Sequence, residues 1–352
     1  MRSFACPNCA QLVFFDNSVC LRCDTEVGFD PGSLDLVEPG SELVRCANQL
    51  LAACNWLVAR DGEPASERDA PSDGLCLSCR LTRTRPDDTD DQALAAFADA
   101  ERQKRRLVFQ LLDLGLPVAP FDDDLGTGVA FDLLSSRFDR VTTGHADGVI
   151  TLDLAESDDV HRERVRQQLG EAYRTVLGHL RHEIGHYYWD VLVGDDRLGA
   201  FRGLFGDERL DYGEALDRHY SSGPPADWAE LHVSEYATMH PWEDWAETFA
   251  HYLHIRDALQ TAAAFGIEVH GPAADVGDDD HELEVAPEES ADGRPIDDIV
   301  ADWLALSYAL NAMSRSLGND DLYPFVLTPK VVEKLGFVHD LVAAPRPLAP
   351  AS

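Results

Sequence analysis

The pattern of apolar and polar positions predicts five helices and one half-buried strand. The first helix covers residues 93–114 and stops at Gly115, with Pro117 beyond. Between Gly148 and Leu154 the side chains alternate, with Ile150, Leu152 and Leu154 apolar and Thr151 and Asp153 polar. That is the period of a strand with one face covered. Ser157, Asp158 and Asp159 then offer N-caps for a long second helix. Val165, Leu169, Ala172, Tyr173, Val176, Leu177, Leu180 and Ile184 recur at helical spacing along it. A third helix covers residues 241–260 and opens on Pro241, a residue suited to a first helical position. Asp297–Leu317 reads as a fourth, stopped by Gly318. Thr328 and Pro329 open a fifth that ends near Gly336.

Before residue 81 the pattern changes to short elements punctuated by cysteine. All eight cysteines lie in the first 79 residues. Turn residues interrupt them around Asp30–Ser33, and a polar stretch from Asp61 to Gly74 reads as an exposed loop. The expected organisation is therefore a small cysteine-rich region at 1–80, a linker at 81–92 and a large domain at 93–352. Residues 272–295 carry nine acidic side chains and one basic one, Arg294, and read as a mobile surface loop inside the large domain. The fold class is α+β, largely helical with a small sheet.

Charge narrows the function classes. The formal net charge is −35 at pH 7, so the chain repels phosphate backbones and general nucleic-acid binding is disfavoured. Arg102, Lys104, Arg105 and Arg106 form a small basic cluster, read as a solvated helix face rather than a nucleic-acid patch. No apolar run approaches the roughly 20 residues that span a bilayer. The first residues lack the apolar core of a secretory signal, so a cytoplasmic location is expected, where thiols stay reduced.

The chemistry centres on His182-Glu183-Ile184-Gly185-His186. A spacing of four puts both imidazoles on one helix face, one turn apart, where they can share a zinc ion. Glu183 follows the first of them and can act as general base toward a water on that metal. A catalytic zinc usually takes three protein ligands, so a third is expected downstream. Glu243 and Glu247, one turn apart on the third helix, supply it. Glu243 is assigned as the ligand, and Glu247 as the acceptor of a hydrogen bond that orients a ligating histidine. The remaining histidines near these segments, His145, His179, His251 and His254, are read as structural.

Cys6-x-x-Cys9 and Cys20-x-x-Cys23 have the spacing of two zinc knuckles, with Phe14 and Phe15 between them to form a minimal core. Cys46, Cys54, Cys76 and Cys79 make a second candidate site in which only the last two have knuckle spacing. Interleaved pairing stays open, with consecutive pairing expected because each block is then locally self-sufficient. The expected cofactors are one catalytic and two structural zinc ions.

Two histidines on one helix and a glutamate in the Glu243-Asp244-Trp245-Ala246-Glu247 segment resemble the gluzincin metallopeptidases. The segments 179–189 and 240–247, with Tyr323-Pro324-Phe325, are similar to a bacterial zinc-binding metallopeptidase family that carries an N-terminal zinc ribbon. The resemblance covers nearly the whole chain. It implies a gluzincin-like domain that hydrolyses peptide bonds, and it implies that Tyr236, seven residues before Glu243, donates a hydrogen bond to the oxyanion. A core tyrosine is the other reading of Tyr236. The resemblance also implies that the strand at 148–154 lies at an edge and holds an extended substrate; an ordinary sheet strand is the alternative. A peptide or protein is the expected substrate, with a protein partner open for the zinc-ribbon region. Two other functions remain open from sequence: a zinc-ribbon adaptor with a vestigial site, and a zinc hydrolase of non-peptide amides.

Overall fold

The computed structural model describes residues 2–60, 74–137, 140–169, 171, 173–275, 280–288, 291 and 293–344. The expected loop at 61–73 lies outside the described residues. The chain divides into two compact units, Met1–Tyr187 and Tyr188–Ser352.

In the first unit, three short antiparallel hairpins come first: β1 (Phe4–Ala5) with β2 (Leu12–Val13), β3 (Gly28–Asp30) with β4 (Asp35–Val37), and β5 (Leu43–Arg45) with β6 (Leu57–Ala59). The turn between β3 and β4 is built by Asp30, whose carboxylate accepts from the backbone of Gly32 and Ser33 and from the Ser33 hydroxyl. Next come α1 (Leu77–Arg80), β7 (Thr82–Thr84), α2 (Asp91–Asp113), β8 (Ala130–Leu134), β9 (Gly144–Ala146), β10 (Val149–Asp153), α3 (Asp159–Leu169) and the first part of α4 (Val176–Leu192). Asp90 caps α2 by accepting from the Ala93 amide, and Gly115 ends it at φ +65°. Four strands form one mixed sheet in the order β7-β8-β10-β9.

The hairpins and the sheet share one body. Phe15, Phe29 and Trp56 pack with Phe109 of α2, with ring centroids 4.7–5.5 Å apart for Phe29–Trp56, Phe15–Phe109 and Phe29–Phe109. Phe14 is exposed, because consecutive residues leaving a strand point to opposite sides. The expected linker is instead structural: Leu81 is buried, its carbonyl accepts from the Phe131 amide, and β7 pairs in parallel with β8. The basic cluster is corrected in the same way. Lys104 is buried, pairs with Glu101 of the same helix at 2.6 Å and donates to the Thr82 hydroxyl of β7, and Arg106 pairs with Asp16. Arg105, 2% exposed, donates to the carbonyls of Ala52 and Ala53 at 3.1 Å each. Three of the four cations bind the helix to the rest of the unit, so they are not a solvated face.

Replacing Arg105 with leucine strands those two carbonyls and is expected to cost about 2–4 kcal/mol. It should lower the urea midpoint with little change in slope. Arg102→Leu, at a side chain 40% exposed, should move it by less than about 0.5 kcal/mol.

The long second helix is broken. α3 starts where expected, with Asp158 accepting from the His161 amide. It stops at Leu169, and α4 begins only at Val176, capped by Thr175, whose hydroxyl accepts from the Gly178 amide at 3.0 Å. Between them Arg174 pairs with both Glu156 and Glu171, which fixes the turn against the residues after β10.

The second unit is helical: the end of α4, α5 (Leu198–Phe205), α6 (Tyr212–Ser222), α7 (Trp228–Leu231), α8 (Pro241–Ala264), α9 (Ile296–Ser316) and α10 (Pro329–Ala343). Its centre is α8. Trp245 and Phe249 are fully buried there and meet Tyr188, Phe201, Phe205 and Phe337. Lys334 of α10 donates to Asp244 of α8 and to the Leu231 carbonyl, each at 2.6 Å. Burial pushes the Asp244 carboxyl up to about 7 despite that ammonium. α10 continues through Gly336, which lies against Ile296: a Cβ there would come 3.2 Å from the isoleucine methyl. The glycine read as a stop is thus a packing site. The acidic segment read as a loop also contains order, because β11 (Val269–Asp275) and β12 (Asp280–Val285) pair as an antiparallel ribbon. Among the described residues no helix is long and apolar enough to cross a membrane.

Candidate metal centres

The first cysteine cluster is formed by two knuckles of the same geometry. In each, the residue after the second cysteine adopts positive φ, 56° at both Ala10 and Asp24. Its amide returns to the carbonyl of the first cysteine, Ala10 to Cys6 and Asp24 to Cys20, at 2.9 Å. The loops thereby bring Cys6 Sγ to 3.6 Å from Cys23 Sγ, and Cys9 Sγ to 3.7 Å from Cys20 Sγ. Hydrogen bonds from the Thr25 hydroxyl and amide hold the Cys23 thiol down to about 6, which favours the thiolate a metal needs.

Cys46, Cys54, Cys76 and Cys79 form the second cluster, and all four are at most 2% exposed. Cys54 and Cys76 place their sulfurs 3.6 Å apart, and the Cys76 amide donates to Cys46 Sγ. Hydrogen bonds from Cys54 and Cys76 hold the Cys46 thiol far below its usual range, while burial pushes Cys76 up. The pairing is consecutive, not interleaved. None of the eight cysteines forms a disulfide. Tetrahedral thiolates on zinc at about 2.3 Å are about 3.8 Å apart, so the spacings in both clusters fit one ion held by four thiolates.

The third cluster lies on α4. His182, Glu183 and His186 bring one ligand atom each to within 4.8 Å of one another. The two imidazoles stand with centroids 5.0 Å apart and planes at 79°. Leu180 and Ile184, buried on the opposite face, hold the helix in the core. Arg181, also buried, donates twice to Gln110 of α2, at 2.9 and 3.1 Å, which fixes the helix rotation. Two imidazoles one turn apart and an adjacent carboxylate are a donor set suited to zinc.

His145, expected to be structural, lies on β9 beside this cluster. Its ring lies parallel to that of His186, 5.9 Å away at 15°. The Gly148 amide donates to His145 Nε2 at 3.1 Å, which leaves Nδ1 to carry the proton of the neutral ring. Burial and His186 pull this imidazole down to about 4, so it is neutral at pH 7. Sheet order corrects a second expectation. β10, expected at an edge, is flanked by β8 and β9, and among the described residues the edge strands are β7 and β9.

Glu243, Glu247 and Tyr236 belong to the second unit. α8 starts with His240 as N-cap: its Nδ1 accepts from the Trp242 amide, so Nε2 donates to the Leu210 carbonyl at 3.0 Å. Pro241 follows at the first helical position. Glu243 is 2% exposed and its Oε1 accepts from the Tyr212 hydroxyl at 2.9 Å. Tyr212 carries no local sequence signal, since it precedes Glu243 by 31 residues. Glu247 accepts from the Ser234 hydroxyl at 2.6 Å. Tyr236 is half-buried in a short turn of 3-10 helix, its ring edge-on to His219 at 5.9 Å. His251 meets the Tyr323 hydroxyl at 2.7 Å, His254 packs on the same ring, and His179 lies 3.9 Å from Glu156.

Two four-cysteine clusters ahead of a helix bearing His-Glu-x-x-His define a metal-binding protein. Comparison with known proteins agrees. Residues 93–341 match the family model described as "Putative zinc-binding metallo-peptidase", and residues 3–90 match a zinc-ribbon domain. Uncharacterized proteins of Mycobacterium tuberculosis and Mycobacterium bovis are each 50% identical over 355 residues, covering 97% of this chain and 95% of theirs. No solved structure matches. The chain belongs to this zinc-binding metallopeptidase family.

Proposed function

We propose that this protein is a zinc-dependent peptidase of gluzincin type. The observation that carries the reading is the convergence of His182, Glu183 and His186 on α4. Glu243 is the proposed third ligand, on the ligand count a catalytic zinc requires. When bound, zinc supplies Lewis acidity, which polarises a carbonyl and acidifies water. Glu183 takes the proton of the attacking water and passes it to the leaving amine. Tyr236 donates its hydroxyl proton as a hydrogen bond to the oxyanion, and Glu247 orients a ligating histidine.

The proposed zinc content is three ions per chain, two in the cysteine clusters and one at the histidines. Eight unpaired thiols accord with a reducing compartment such as the cytoplasm. The aromatic core shared with Phe109 supports an intramolecular, bracing role for the zinc-ribbon region over the docking of a separate partner.

A peptide library, digested with the zinc-loaded protein and read by mass spectrometry, tests the reading. New termini from the wild type and none from Glu183→Gln support it. Intact peptides in both arms, or equal cleavage in both, contradict it and leave a non-peptide amide hydrolase or an adaptor.

A further inference from the structure

Tyr212 opens α6, where Asp211 caps the helix by accepting from the Glu214 amide. Its side chain is thus set by a fixed backbone. The hydroxyl donates to Glu243 Oε1 at 2.9 Å. The ring packs on His240 at 5.3 Å, and His240 is itself held by the Leu210 carbonyl and the Trp242 amide. Residues 210 and 212 on one side, and 240 and 243 on the other, therefore form a closed clamp around the first turn of α8. A carboxylate that is 2% exposed gains from a neutral donor, which stabilises its charge without competing as an ion pair.

We propose that Tyr212 is a positioning residue for Glu243. By committing Oε1 to the phenol, it directs metal ligation to Oε2 and keeps the carboxylate from spanning the ion with both oxygens. The proposal rests on the reading of Glu243 as the third ligand. It assigns a role to a residue outside both the His-Glu-x-x-His segment and the Glu243–Glu247 segment.

Tyr212→Phe keeps the ring against His240 and removes only the donor. Two measurements on the full-length protein test it, with zinc retained in the cysteine sites. Chelator competition reads zinc affinity at the histidine site, and cobalt(II) loaded at that site reports coordination number through its visible absorption. Affinity is expected to fall about 10–100-fold, and the cobalt bands to weaken as Oε1 joins and the ion becomes five-coordinate. Glu243→Gln is the parallel arm. If Glu243→Gln weakens zinc binding while Tyr212→Phe changes neither affinity nor spectrum, Tyr212 has no positioning role. If Glu243→Gln itself leaves affinity intact, the third-ligand reading fails and the proposal falls with it.

Discussion

Cys76→Ser is expected to dismantle most of the first unit. Cys76 is 1% exposed, and its own amide donates to Cys46 Sγ, so the residue serves the second cluster twice. Structural zinc of this type contributes roughly 10–16 kcal/mol of apparent binding free energy. That is as large as the whole stability of an ordinary domain, about 5–15 kcal/mol. The damage should spread because the cluster is continuous with the sheet. Cys79 lies in α1, Leu81 follows, its carbonyl accepts from Phe131 of β8, and β7 begins at Thr82. Near-ultraviolet circular dichroism should collapse, since Phe15, Phe29, Trp56 and Phe109 lose their common packing. Limited proteolysis should cut within residues 2–60 first. A variant that keeps the wild-type thermal midpoint within about 2 °C would show that the cluster does not carry this load.

The second large effect is catalytic. Glu183→Gln preserves shape and removes the base, and general-base catalysis contributes about 10²–10⁴-fold. The turnover of any peptide found in the library should therefore fall by that factor, about 3–5 kcal/mol in barrier, with zinc content unchanged. Retained metal separates this outcome from ligand loss. A fall of less than tenfold would move the base elsewhere.

The parts of the fold that could be read from sequence are those where function sits on local spacing. Four residues are one helical turn, so His182 and His186 had to share a face once α4 formed. Two residues between cysteines make a knuckle, and Pro241 suits only the start of a helix. What escaped depends on distant partners. Arg105 looked solvated because nothing local reveals that Ala52 and Ala53 offer it their carbonyls. The break before α4 hid in an unbroken apolar period, since Arg174 and Thr175 act through Glu156 and the Gly178 amide. Gly336 reads as a helix stop until Ile296 is known to lie against it. Tyr212 could not be found without the contact it makes. His145 was closer to hand. Asp147–Gly148 is a hairpin signal, and both residues adopt positive φ, at 48° and 79°. That turn alone would have paired β9 with β10 and put His145 on a strand; that β8 covers the other edge of β10, and that His145 stacks on His186, depend on distant partners.

Zinc content per chain, by elemental analysis of the wild type beside His182→Ala/His186→Ala, tests the central claim most directly. Three zinc ions are expected in the wild type and two in the double variant, with both cysteine clusters still loaded. An equal zinc content in the two proteins would show that the histidine pair holds no metal, and would contradict the peptidase reading.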